Sequence, residues 1–176
     1  MKKRITEEEI KQLYSKYNTP PHVIGHCREV AFVAETIGKK LNEHGYNLDI
    51  ELIKSAGLVH VVARIYEQHW NVGADILESM GYLDEAAIVR VHMLYAQFNH
   101  VSQLNETDMV CLADKLVIED RYAGVDARFR YIMNKAPKLP EVQKRIMSSK
   151  AVTAKTVEDI EAVIGVTIEQ LFTGEK

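Results

Sequence analysis

Residues 22–43 read HVIGHCREVAFVAETIGKKLNE. Val30, Val33, Ile37 and Leu41 recur at the spacing that lines one face of an α-helix with apolar side chains. His26 falls on the same face, so the stripe predicts a long helix with one imidazole turned inward. Asn18-Thr19-Pro20-Pro21 breaks the chain ahead of this helix, and Gly45 ends it.

The segments on either side follow the same pattern. Thr6 with Glu9 forms a capping box, with Ile5 stapled to Ile10, for a short helix to about Tyr17. Asp49 caps a third helix carrying Ile53, Ala56 and Val59, expected to stop near Arg64. A fourth helix is expected from around His69 to before Gly81, and a fifth from Asp84 to about Leu94. Ala96 to Gln103 reads as a loop. Asn105 caps a sixth helix that carries Val110, Ala113, Leu116 and Val117, with Glu106 and Asp108 near its positive end. Gly124 breaks that pattern, and Pro137 and Pro140 interrupt the next pair of helices. A helix beginning near Thr153 ends at Gly165, and Thr167 with Gln170 boxes a last short one. No alternating run argues for a sheet. The expected fold is all-α, a single-domain helical bundle.

Composition narrows the function classes. The chain has 176 residues, 47% hydrophobic and 27% charged, enough for a hydrophobic core without staples. Its net charge of -3 disfavours a strongly basic nucleic-acid binder. Cys27 and Cys111 are too few for a disulfide framework, which suggests a reducing, cytoplasmic setting. The longest apolar stretch, Ala56 to Ala63, is too short to span a membrane and contains His60. The N-terminus turns acidic after Arg4 and lacks the apolar region of a signal peptide.

The histidines carry the chemistry. His26, His60, His69 and His92 lie on or at the ends of otherwise apolar helices, and Asp114 sits in the apolar run Leu112-Ala113-Asp114-Lys115-Leu116-Val117. A buried carboxylate needs a partner, and a metal ion or a cation would serve. Singly, each histidine is more simply a satisfied core or surface residue. As a set, imidazoles and one carboxylate from different helices are how bundles build metal sites. Such donors suit Mn, Fe, Ni or Zn, with Mg also admitted. His22 and His26 share a helix face, but Val23 stands where a zincin needs Glu. Phosphate-loop, dinucleotide and nucleophile-elbow glycine motifs are absent. Cys27 and Cys111 read as buried structural thiols.

The order of these residues resembles the HD-domain metal-dependent phosphohydrolases, an all-α superfamily. Pro21-His22-Val23-Ile24-Gly25-His26 resembles its first motif, and Ala56-Gly57-Leu58-Val59-His60-Val61 its doublet motif. His69 with Gly73-Ala74-Asp75, then Ile88-Val89-Arg90-Val91-His92, and Leu112-Ala113-Asp114 complete the set. Asp120 to Phe129 and Ile160 to Leu171 resemble a subgroup found fused to nucleotidyltransferases of the molybdenum-cofactor type. The resemblance implies an N-terminal helix and linker (1–20), a metal-binding helical core (21–125) and C-terminal helices packed on it (126–176). It makes His26, His60 and Asp114 first-metal ligands and matches His69 and His92 to the second metal of dinuclear members.

One departure stands out. Val61 replaces the aspartate that bridges the metals in the family, and only Glu67 and Asp75 are near in sequence as substitutes. The implied activity is hydrolysis of a phosphoester or nucleotide by metal-activated water. Arg64, one turn after His60, and Lys115, beside Asp114, are the catalytic candidates, as cations that grip phosphate; Arg121 and Arg128 rank below them. Two alternatives stay open: a non-catalytic relative that binds metal or nucleotide as a sensor or scaffold, and a helical interaction protein with relict histidines. The expected partner is a small phosphorylated molecule or nucleotide, with no nucleic acid and no membrane.

Overall fold

The computed structural model describes residues 3–173, and within them the chain is predominantly helical. The helices are α1 (Glu7–Lys16), α2 (Pro21–Glu43), α3 (Ile50–Val59), α4 (His69–Ser79), α5 (Leu83–Val91), α6 (Glu106–Asp114), α7 (Gly124–Lys135), α8 (Pro140–Ile164) and α9 (Gln170–Thr173). The expected caps are present. Thr6 and Glu9 close a capping box on α1, Asp49 accepts from the Leu52 N–H, and Asn105 and Asp108 close a second box on α6. Thr167 and Gln170 bond to each other's backbone N–H ahead of α9.

Four expectations are corrected. The third helix stops at Val59 rather than Arg64, because His60 caps it and bonds back to its last turn. The fifth ends at Val91, and His92–Leu94 form a 3₁₀ turn. The sixth ends at Asp114, and Val117–Ile118 (β1) pairs antiparallel with Arg121–Tyr122 (β2), so a small hairpin stands where no strand was expected. Two-residue strands are too short to show an alternating pattern. Finally, α8 is one helix from Pro140 through Thr153, not two. Pro140 occupies its first turn, where a missing N–H costs nothing.

Two apolar clusters form the core. One joins Ile37, Leu41, Ile53, Leu112, Ile160 and Ile168; the other joins Ile10, Leu13, Val62, Leu77 and Tyr82. Helices α2, α3 and α5 contribute to both, and they are the helices that deliver His26, His60 and His92. The N-terminal segment is tied across the bundle by Arg4, which bonds Asp49 at 2.7 Å and Asp84 at 2.9 Å. Among the described residues, no helix is long and apolar enough to cross a membrane.

Close approach of α2 and α3 depends on Gly57. A Cβ there would fall 2.7 Å from Ala31 Cα, a distance that side-chain motion does not relieve. Gly57→Ala is therefore expected to cost about 1–3 kcal/mol of stability, since the two helices must part. A denaturant titration measures this, and an unchanged midpoint contradicts it.

Candidate metal centre

His60 and His92 are the C-caps of α3 and α5. Each donates Nδ1–H to the carbonyl three residues back, His60 to Gly57 at 2.7 Å and His92 to Val89 at 2.7 Å. A helix end leaves such carbonyls without partners, so the imidazoles satisfy the backbone that carries them. His26 is fixed from outside its helix: its Nδ1 lies 3.0 Å from the Glu119 carbonyl at the tip of the hairpin. Glu119 sits at φ 54°, a strained conformation for a residue with a side chain. Gly25 lets that hairpin approach, since a Cβ there would lie 3.2 Å from Asp120 Cβ.

When Nδ1 donates, a neutral imidazole has only the Nε2 lone pair left. His26 Nε2 stands 3.0 Å from Asp114 Oδ1, an acceptor. His60 Nε2 stands 3.8 Å from the same oxygen, beyond a hydrogen bond, and is buried without a partner. His92 Nε2 is likewise buried and unpartnered. Lone pairs turned on a carboxylate require a positive charge between them, either a proton or a metal ion. One donor atom from each of His26, His60 and Asp114 lies within 4.8 Å of the others, so this group fits a divalent ion.

The electrostatics repeat this. Burial opposes a charge on His60, but the Asp114 carboxylate and the neighbouring Cys27 sulfur together outweigh it and lift the imidazole to about 10. Burial also works to raise Asp114, yet His26 and His60 hold it well below the usual carboxylate range. Burial, with His60 nearby, drops His92 to about 3, and burial, with Arg64 nearby, drops His69 to about 4.

The structure brings the predicted histidines into one row. Ring centroids run His26 to His60 5.3 Å, His60 to His92 5.2 Å and His92 to His69 5.5 Å. His69 differs from the other three at Nδ1, which Arg64 Nη1 approaches at 3.5 Å in place of a main-chain carbonyl; its Nε2, like those of His60 and His92, is buried and unpartnered. Lys115 turns its ammonium to the Cys111 carbonyl at 3.5 Å and to the Phe98 ring. Cys27 and Cys111 are buried free thiols.

Val61 is buried in the second apolar cluster and offers no donor. Neither suggested substitute replaces the missing aspartate: Glu67 is exposed, and Asp75 is exposed and paired with Arg90 at 2.8 Å. One feature of the site escaped sequence reasoning, and another ranked low in it. The Glu119 contact is made by a main-chain carbonyl, which no side-chain identity reveals. Arg128, ranked low, places Nη2 3.7 Å from Asp114 Oδ1.

A family model described as the HD domain matches residues 23–118, more than half of the chain. This chain belongs to the HD-domain family. HD domains typically bind divalent metals, and the superfamily is one of metal-dependent phosphohydrolases. An uncharacterized protein of Methanocaldococcus jannaschii is 31% identical over 71 residues, which cover 39% of this chain and 42% of that protein. The matched part is thus less than half of that relative's length. No solved structure matches the chain.

The shifted histidines set a pH dependence. His60 holds its proton more tightly folded than unfolded, so its stabilisation is full below about 6.5 and is lost as pH rises through about 10. His69 and His92 carry the opposite sign and destabilise the fold as pH falls below about 6.5. A divalent ion must displace the His60 proton, so its affinity rises with pH over the alkaline window. Thermal melts of chelator-treated and Mn²⁺-loaded protein across that window are expected to diverge, the metal-free Tm falling and the metal-induced gain growing. Parallel curves contradict the assignment.

Proposed function

We propose that this chain is a metal-dependent phosphohydrolase acting on a phosphoester or nucleotide by metal-activated water. The observation that carries the reading is the set of Nε2 lone pairs, fixed by main-chain carbonyls, that meets Asp114. His26, His60 and Asp114 would hold the ion. When bound, it supplies a Lewis acid and a water made acidic enough to yield a nucleophile near neutral pH. The rest falls to the protein. The carbonyls of Gly57 and Glu119 keep His60 and His26 facing the ion. His92 stays neutral next to His60 and extends the row of acceptors toward His69. Arg64, exposed and beside His69, is the cation that would meet phosphoryl charge at that end, whereas Lys115, next to Asp114 in sequence, turns its ammonium to the Cys111 carbonyl and is set aside from this role. We read one ion rather than a coupled pair, because Val61 supplies no bridging oxygen.

The buried Val61 favours a second reading, in which the site binds a metal or a phosphorylated ligand without turnover. One assay separates the two. The unmodified chain, Val61→Asp and His60→Ala are supplied with Mn²⁺ and a panel of nucleotides and simple phosphoesters. Slow turnover by the unmodified chain, lost in His60→Ala and increased in Val61→Asp, is the expected result. Turnover by Val61→Asp alone overturns the phosphohydrolase reading for the natural chain and favours the second.

A further inference from the structure

The histidine row is open on one side. His60 is fully buried, and His69 and His92 are 4% and 2% exposed. In contrast, the side chains of His26, Asp114 and Arg128 keep 17%, 19% and 17% of their surface. A molecule entering from water therefore meets His26, Asp114 and Arg128 first. Arg128 lies on α7, beyond the residues that the family model matches. Its Nε is buried and has no acceptor. The carboxylate nearest to it, Asp114, is 3.7 Å away and is already turned to His26 and His60. A guanidinium placed this way has donors to spare.

We propose that Arg128 is the anion-binding residue of the centre and selects a dianionic terminal phosphate, as in a phosphomonoester, over a diester. This rests on the metal reading above. A divalent ion held by Asp114 would take up the charge of that carboxylate, so that Arg128, 3.7 Å from it, would be left as a second cation beside the ion. Asp114 cancels one charge of the ion and Arg128 restores it, so with neutral imidazoles the centre keeps a double positive charge. Glu119 and Asp120, the acids of the adjacent hairpin, are exposed and screened by water. An anion bridging the ion and Arg128 removes the repulsion. A dianion neutralises the centre, whereas the monoanion of a diester does not. Guanidinium suits this task because its planar fork presents paired donors to phosphate oxygens. Buried Phe129 anchors α7 against the body of the fold, with an exposed Lys150–Asp126 pair between α8 and α7 adding little.

The test measures binding rather than turnover. Mn²⁺ affinity is measured first, then the affinity of the Mn²⁺-loaded protein for phenylphosphonate (a dianion that resists hydrolysis) and for its methyl ester (a monoanion), at mildly alkaline pH. The unmodified chain is expected to prefer the dianion. Arg128→Gln is expected to weaken dianion binding by roughly tenfold to a hundredfold, with the methyl ester much less affected. Arg128→Lys should fall between the two. Mn²⁺ affinity in Arg128→Gln should hold or rise, which also shows that the variant is folded. Unchanged dianion affinity in Arg128→Gln, no preference for the dianion, or no anion binding by the loaded chain overturns this inference and leaves the metal centre standing. Failure of the unmodified chain to bind Mn²⁺ overturns both.

Discussion

An imidazole that gives its Nδ1–H to a main-chain carbonyl has committed its other nitrogen. His26, His60 and His92 are all committed in this way, to carbonyls that do not move independently of the fold. Much of the architecture follows from that constraint. Helix α3 must end at His60 and α5 at His92, because each histidine closes the helix that carries it. The hairpin at 117–122 must lie against α2 for the Glu119 carbonyl to reach His26. Gly25 eases the approach of the hairpin, where a Cβ would be tight against Asp120, and Gly57 allows α3 to lie against Ala31 of α2, where a Cβ has no room.

The same constraint makes the centre costly as built. Bare lone pairs beside a carboxylate, most of them shut off from water, are stable only with a cation among them. A proton on His60 provides one solution, and a divalent ion displaces it in the other. Val61 marks where this chain departs from its family. In place of a bridging carboxylate the site has an apolar side chain that packs into the core, which lowers the number of donors and the negative charge together. Arg128 then adds positive charge on the open side, 3.7 Å from Asp114, the feature on which the proposed anion site rests.

Much of this was legible in the sequence because the signals are local. Caps such as Thr6–Glu9, Asp49 and Asn105–Asp108 act within one turn, and the stripe from Val30 to Leu41 reports a buried helix face directly. The candidate metal group was legible through side-chain type and order: His26, His60 and Asp114 come together, while His69 and His92 lie further along the row and outside that group. What escaped depends on tertiary contacts. The hairpin is too short to leave a period, and it forms because Val117 is buried against the core at the end of α6. Pro140 looked like a break but stands where a helix tolerates proline. Glu67 and Asp75 were close in sequence to the missing aspartate, yet their helix and turn direct them outward. Arg128 ranks below Arg64 and Lys115 in the sequence because nothing local ties it to a histidine; the packing of α7 brings it to Asp114.

Imidazole nitrogen NMR during a Zn²⁺ titration tests the central claim most directly, because it reads which nitrogen of each ring carries the proton. The account predicts that His92 is the Nδ1–H tautomer throughout. It also predicts that His26 and His60 reach that tautomer with one equivalent of Zn²⁺, their Nε2 resonances moving to the metal-bound range. Rings of His60 and His92 that carry their single proton on Nε2, or Nε2 resonances of His26 and His60 that ignore Zn²⁺, would contradict it.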